Sequence, residues 1–281
     1  MDVLFPRHTE ELWTMISARP EGAVMAGGTD LLVRLKKTGQ KPPALVCLER
    51  MEELQQIRVD EKEIYIGAAV VHQRLLDNTI VKKRLKLLWD AIAVLGSPPI
   101  RHCGTIGGNL CTASPAGDTL PPLYALGARV EIWSRTQKRS MRVDKFISGP
   151  GRTALQDGEI VAGVTIPLPD EKAFSAYYKV GKRKALAIAV ASMAVLVKTA
   201  ESGVVDWIKL AWGSVGPTVI TLPPVEELLR GNILSEELQR WAGKTVSESV
   251  SPIDDIRGSA AYRRLVAGNL LLRLLPELFL Q

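Results

Sequence analysis

The sequence predicts an α+β protein in two parts. Up to Ile166, helix and strand signals mix without a regular βαβ alternation, and Pro167-Leu168-Pro169-Asp170 then breaks the pattern. Beyond that break, three β-rich runs precede two helical patterns. At 281 residues the chain has room for one large domain or two ordinary ones. A chain this long buries enough apolar surface to fold without disulfides.

The elements follow in order. Thr9 before Glu10 and Glu11 reads as an N-cap with acidic first-turn residues. That helix should run to about Arg19, where Pro20 and Gly22 end it. Ala23 to Ala26 is a short apolar strand entering Gly27-Gly28, Leu31 to Lys37 a helix after the turn, and Ala44 to Leu48 another strand. Glu63 to Ala68 reads as extended and Val81 to Leu95 as one amphipathic helix. From Gly96 to about Gly117 the chain reads as a long loop, a length at which loops in compact domains are functional or disordered. Leu120 to Leu126 is a short helix, and Arg129 to Ser134 and Ile160 to Ile166 are strands. After the break come strands over Ala176 to Val180, Ile188 to Val197 and Trp207 to Val215. Helices over Ser235 to Ser249 and Ser259 to Leu275 close the chain.

Composition excludes several functions. The three cysteines, Cys47, Cys103 and Cys111, form no CxxC pair, so the chain should carry no iron–sulfur cluster or zinc site of its own, and reduced thiols in a cytoplasmic protein are expected. His8, His72 and His102 have no metal-ligand spacing and read as surface or hydrogen-bonded histidines, so no metal ligand is expected. The net charge of +6 gathers at Lys82 to Lys86 and Lys179 to Lys184, but neither run has the aromatic spacing of a base-stacking surface. A solvated face, or one near an anionic cofactor or partner, is expected instead of nucleic acid. The opening residues do not read as a signal peptide, and the most apolar run, Ala185 to Val197, is too short to span a bilayer.

Two segments carry the functional signal: Ala26-Gly27-Gly28-Thr29-Asp30-Leu31 and Gly104-Thr105-Ile106-Gly107-Gly108-Asn109-Leu110. Adjacent glycines let a backbone pass through positive φ and turn consecutive amides to one side, a concave donor site for phosphate oxygens. Thr29, Thr105 and Asn109 add side-chain donors. Two such loops can clamp the two phosphates of one dinucleotide. The spacing matches neither the Rossmann fingerprint nor the P-loop. Ordinary turns are the alternative, and one such pair alone would favour it.

The segment AGGTDLL, together with Ile100-Arg101-His102-Cys103 and GTIGGNLCTASPAGDTLPPL, resembles the flavoprotein subunit of the xanthine dehydrogenase and carbon monoxide dehydrogenase family of molybdenum hydroxylases. Tyr178 to Arg183 with Ala185 to Ala189 resembles the start of that family's C-terminal domain. The resemblance spans nearly the whole chain and implies a fold. Residues 1–172 would form an FAD-binding domain of the vanillyl-alcohol-oxidase (PCMH) type, with lobes of about 1–57 and 58–172. Residues 173–281 would form a smaller domain, a three-stranded antiparallel sheet with a helical bundle.

The resemblance also implies roles. Val24, Met25, Ala26, Gly27, Gly28, Thr29, Asp30 and Leu31 would hold the FAD diphosphate from one side, and Thr105, Ile106, Gly107, Gly108 and Asn109 from the other. Asp118 matches a cofactor-contacting position, Leu95 a bulky apolar group beside the flavin, Lys179 a basic position near it, and Ile188 the isoalloxazine edge. Some relatives carry histidine after the first glycine pair, and some flavoproteins of this fold attach FAD through it. Thr29 stands there in this chain, so FAD is expected to bind non-covalently. The cysteine-rich insert of the benzoyl-CoA-reductase branch is absent. Molybdopterin and [2Fe-2S] centres would belong to large and small partner subunits, in a dimer of heterotrimers. Electrons would pass through FAD to an acceptor such as NAD, with no catalytic side chain in this subunit. A self-sufficient flavoprotein oxidase or reductase, which needs a proton-handling residue, and a cofactor-free assembly subunit are the alternatives.

Overall fold

The computed structural model describes residues 1–183 and 186–274. Lys184, Ala185 and 275–281 lie outside the described residues, so the ends of three expectations fall there: the basic run at Lys184, the apolar run at Ala185 and the last helix at Leu275. The chain forms two compact units interleaved in sequence. One comprises 1–78, 97–113 and 127–167, the other 79–96, 114–126 and 168–281.

The first unit contains two larger sheets and a two-stranded one, Ile147–Gly149 with Arg152–Thr153. Strands Asp2–Leu4, Ala44–Cys47 and Ala23–Met25 lie parallel, with Ala44–Cys47 central and fully buried. Helix Thr9–Ala18 sends Leu12 and Trp13 into a core with Val46, Met51, Leu54, Ile160 and Ala162. His8, not Thr9, caps this helix: its imidazole Nδ1 accepts from the Glu11 amide at 3.5 Å, which places Thr9 in the first turn.

The second sheet is antiparallel, in the order Ile57–Val59, Glu63–Gly67, Ile160–Pro167, Arg129–Trp133, Lys138–Arg142. Its central strand is buried at every position except Pro167, which is why it reads as an unbroken apolar run. The pairing of that strand with Arg129–Trp133 shifts between Val161 and Gly163, a β-bulge. There the Ala162 carbonyl accepts from the Tyr65 hydroxyl at 3.0 Å and from the Ala68 amide at 2.9 Å. The bulge therefore fixes the segment that leaves strand Glu63–Gly67.

Two expectations need correction. The segment read as one long loop contains helices Pro98–Cys103 and Ile106–Thr112. Each starts at a hydroxyl cap that the glycine content obscures: Ser97 Oγ accepts from the Ile100 amide at 3.4 Å, and Thr105 Oγ1 from the Gly108 amide at 3.0 Å. The helix expected over Val81 to Leu95 is two helices, Thr79–Arg84 and Lys86–Ala93. They part at Leu85, whose backbone (φ −126, ψ 47) leaves the helical region and whose side chain is fully buried. Strands Asp2–Leu4 and Lys138–Arg142 escape a periodicity reading because each is short and lies at a sheet edge, the first only three residues long and the second mostly polar.

The second unit has the expected three-stranded antiparallel sheet, Phe174–Val180, Ala191–Thr199 and Val205–Gly213, in that order. Helices Pro223–Leu229, Glu236–Ser249 and Ala260–Asn269 supply the bundle. Trp212, fully buried, donates its indole N–H to the Ala267 carbonyl at 3.1 Å and so ties sheet to bundle. Glu226 covers the outer edge of the sheet by accepting from the Leu210 amide at 2.9 Å. The last two helices cross at Gly243 and Gly268, where a β-carbon on either would collide with the other's backbone.

One buried group is out of place. Gln239 in helix Glu236–Ser249 is fully buried, and neither amide atom has a hydrogen-bond partner among the described residues. An unpaired buried amide costs about 1–3 kcal/mol. Gln239→Met, which keeps the shape and removes the polar atoms, is expected to raise the melting temperature by about 2–4 °C; an unchanged or lower value in a thermal melt would contradict this account.

Candidate cofactor site

The first glycine pair joins strand Ala23–Met25 to helix Leu31–Thr38. Gly28 takes φ +68, a left-handed conformation that glycine adopts without strain. Gly27 is needed for a different reason. A β-carbon there would overlap the carbonyl of Cys103, so the loop runs backbone against backbone past the end of helix Pro98–Cys103. Asp30 precedes the helix without making a side-chain cap. The amides of Gly28, Thr29, Asp30 and Leu31 consequently have no protein acceptor among the described residues. Free amides at a helix N-terminus, with the helix dipole behind them, suit an anion.

The second segment behaves differently from the expectation. None of its glycines passes through positive φ: Gly104 ends helix Pro98–Cys103, and Gly107 and Gly108 lie inside helix Ile106–Thr112. The Ile106 amide donates to the Val70 carbonyl at 3.1 Å and the Gly107 amide to the Ala68 carbonyl at 3.0 Å. The Gly108 and Asn109 amides donate to Thr105, to its hydroxyl and its carbonyl, both at 3.0 Å. All four are spent within the protein. Gly107 is glycine because a β-carbon would strike Ala68. What this segment offers an anion is the Thr105 hydroxyl, whose own proton is still free to donate.

The two segments meet at Gly104. The position of a β-carbon on Gly104 lies 3.4 Å from the Thr29 hydroxyl and 3.4 Å from His72 Cδ2. The Gly104 carbonyl accepts from the His72 amide at 2.9 Å. His72 is not the surface or hydrogen-bonded histidine expected: it is 2% exposed and its Nδ1 has no partner among the described residues. Burial, with a smaller push from the Arg101 guanidinium, lowers its pKa to about 4. His8 and His102 keep surface roles, His8 as a cap and His102 exposed in the last turn of its helix.

The remaining candidates lie in the second unit. Asp118, buried, pairs with Lys179 at 2.7 Å and accepts from the Tyr177 hydroxyl at 3.0 Å. Lys179 also donates to the Val94 carbonyl at 3.0 Å, which holds the residue before Leu95. Burial raises the Asp118 pKa against the opposing pull of Lys179, and burial together with Asp118 raises that of Tyr177 well above its ordinary value. Leu95 is buried, whereas Ile188, in the segment between the first two strands of this unit, is 52% exposed. Tyr177 and Val94 were not legible as site residues: a strand tyrosine and a helix-end carbonyl carry no motif. Among the described residues no group of three or more His, Cys, Asp or Glu could hold a metal ion, and no helix is long and apolar enough to cross a membrane.

One glycine turn with free amides at a helix N-terminus, on an α+β scaffold, suits a phosphate-bearing cofactor. Residues 1–169 match the family model for the FAD binding domain in molybdopterin dehydrogenase, and residues 176–278 that for the CO dehydrogenase flavoprotein C-terminal domain. The nicotinate dehydrogenase FAD-subunit of Eubacterium barkeri is 34% identical over 86% of this chain and 83% of its own length. The glyceraldehyde dehydrogenase medium chain of Sulfolobus acidocaldarius is 32% identical over 90% and 89%. Among solved structures, carbon monoxide dehydrogenase from Hydrogenophaga pseudoflava superposes with a TM-score of 0.92 at 27% identity, covering 98% of this chain and 96% of that one. The chain belongs to the FAD-binding medium subunits of the molybdenum hydroxylases, the xanthine dehydrogenase and carbon monoxide dehydrogenase flavoproteins. Its cofactor is FAD, and it is a subunit of an oxidoreductase.

Two predictions follow from this chemistry. Folded His72 resists protonation until about pH 4, whereas an unfolded histidine takes up its proton near 6.5, so its contribution to stability is complete above pH 6.5 and lost as pH falls toward 4. Between pH 7 and 5 this group should cost the FAD-free chain about 2 kcal/mol. His72→Gln should lose correspondingly less in urea titrations at the two pH values; parallel losses would exclude His72 as the source. Lys179→Met leaves the Asp118 carboxylate buried without its cation and should destabilise the chain by about 3–5 kcal/mol, with partial recovery in the Asp118→Asn, Lys179→Met double variant. A loss below 1 kcal/mol would mean that the pair is open to water.

Proposed function

We propose that this subunit receives electrons from a [2Fe-2S] small subunit, itself fed by a molybdopterin-binding large subunit, and passes them through FAD to an acceptor such as NAD. The assembly would be a dimer of heterotrimers in the cytoplasm. Residues 1–172 would serve as the FAD domain, with lobes of about 1–57 and 58–172, and 173–281 as the smaller domain. Bound flavin takes electrons singly and releases them in pairs, and the protein supplies position and electrostatics.

The observation that carries this reading is the set of free amides from Gly28 to Leu31 beside Gly104. Val24 to Leu31 would take the diphosphate on those amides and the Thr29 hydroxyl. Thr105 to Asn109 would close the other side, with Thr105 donating and Gly107 seating the segment on Ala68. Asp118 and Lys179 would contact the flavin end, where Lys179 also fixes Val94 and hence Leu95, and Ile188 would lie along the isoalloxazine edge. Thr29 provides no histidine for a covalent link, so the FAD would be released by denaturation.

The purified full chain is expected to bind FAD in a 1:1 complex, to release it into the supernatant on acid precipitation, and to show at most dye-linked NADH oxidation without oxidising a purine or carbon monoxide. Gly28→Val forces a side chain into the left-handed region and should weaken FAD binding about 100-fold by fluorescence titration. FAD affinity unchanged in that variant would remove the glycine loops from the site.

A further inference from the structure

One buried polar side chain beside the glycine loops is left without a partner by everything described above. We propose that His72 is a direct hydrogen-bond donor to the cofactor's diphosphate, through Nε2–H. This rests on the reading of the glycine loops as the diphosphate site.

His72 is 2% exposed, and its Nδ1 is wholly enclosed with no hydrogen-bond partner among the described residues. A neutral imidazole carries one N–H and one lone pair. An enclosed N–H without an acceptor is the costlier of the two to leave unpaired, so the tautomer places the lone pair at Nδ1 and the proton at Nε2. Nε2 is bonded to Cδ2, the ring atom nearest Gly104, and both Cδ2 and the Thr29 hydroxyl lie 3.4 Å from the position of a β-carbon on Gly104. The proton is therefore carried on the edge of the ring that faces the meeting point of the two loops.

The surroundings state which acceptor is missing. The amides of Gly28 to Leu31 and the hydroxyls of Thr29 and Thr105 are donors, and the Arg101 guanidinium is close enough to act on the imidazole electrostatically. A cluster of donors calls for an acceptor-only, anionic group, and a diphosphate is that. The backbone anchors the ring independently: the His72 amide is bonded to the Gly104 carbonyl, so side chain and loop move together.

The test uses the FAD-free full chain with ADP as a probe that carries the diphosphate without the flavin. His72→Phe should weaken ADP and FAD binding about 10-fold or more in calorimetric titrations, and His72→Gln, which keeps a donor, should restore most of the loss. In wild-type chain labelled with ¹⁵N-histidine, the Nε2 resonance that disappears in His72→Gln should shift when ADP is added. A merely structural His72 would lower the melting temperature without moving that resonance. Unchanged ADP affinity in a folded His72→Phe variant, or an unmoved resonance in wild type, overturns the assignment. Gly28→Val separates the two levels: if it abolishes ADP binding while His72→Phe does not, the loops stand and His72 falls. If ADP binding survives Gly28→Val, the glycine-loop reading fails and the assignment with it.

Discussion

The first unit depends on one steric requirement: at Gly27 there is no room for a side chain. The backbone of one loop rests directly on the Cys103 carbonyl of another. Interiors are packed closely enough that a single added carbon at such a contact must displace a backbone. The same restriction recurs at Gly107 against Ala68. Ala68 is in turn held by the carbonyl that the bulge at Ala162 frees. A continuous line of contacts thus runs from a strand irregularity, through Ala68 and Gly107, to Thr105 and Gly104, and ends beside Thr29. The sheet sets the position of the glycine segments through this line, which is how a buried architectural feature determines where surface amides point.

The two glycine pairs divide the work. The first keeps its amides free and supplies donors; the second spends its amides and supplies rigidity. Thr105 shows how this is achieved. Its hydroxyl satisfies the Gly108 amide as a helix cap and retains its own proton for another acceptor. A second run of free amides would have required an open turn, and the short helix that replaces it could not then have been seated on Ala68 and Val70 by its own N–H groups. In the other unit, Asp118, Lys179 and Tyr177 form a closed arrangement in which every partner removed leaves a buried charge or hydroxyl exposed to apolar surroundings.

Much of this was legible in the sequence because it follows from period and from turn chemistry. The buried strand Ile160–Pro167 and the antiparallel run Ala191–Thr199 announce themselves as apolar segments, and the Pro167 to Asp170 break separates them. Both glycine pairs were visible as loops of special backbone. Their distinct reasons were not: Gly28 needs a left-handed φ, whereas Gly27 and Gly107 need emptiness, and only the neighbour's position reveals that. The helices Pro98–Cys103 and Ile106–Thr112 hid behind their glycines, since caps at Ser97 and Thr105 compete with a loop signal of equal strength. His72 carried no motif at all. A histidine at the end of the run Gly67-Ala68-Ala69-Val70-Val71 betrays its burial only once that run is placed beneath Gly104.

The titration behaviour of these groups bears on what kind of enzyme part this is. A side chain that moves protons in catalysis works best with a pKa near the operating pH. His72 is driven to about 4 by burial, and Tyr177 well upward by burial and Asp118. Asp118 is also raised by burial, but it is locked to Tyr177 and Lys179 through two hydrogen bonds, of 3.0 and 2.7 Å, and serves as an acceptor in a closed set. Each environment favours one protonation state and penalises the other. Such fixed charges and dipoles can hold a bound cofactor in a constant environment, and they suit acid–base turnover poorly. The buried groups at both candidate regions are therefore poorly placed to serve as the proton-handling residue that a self-sufficient oxidase needs.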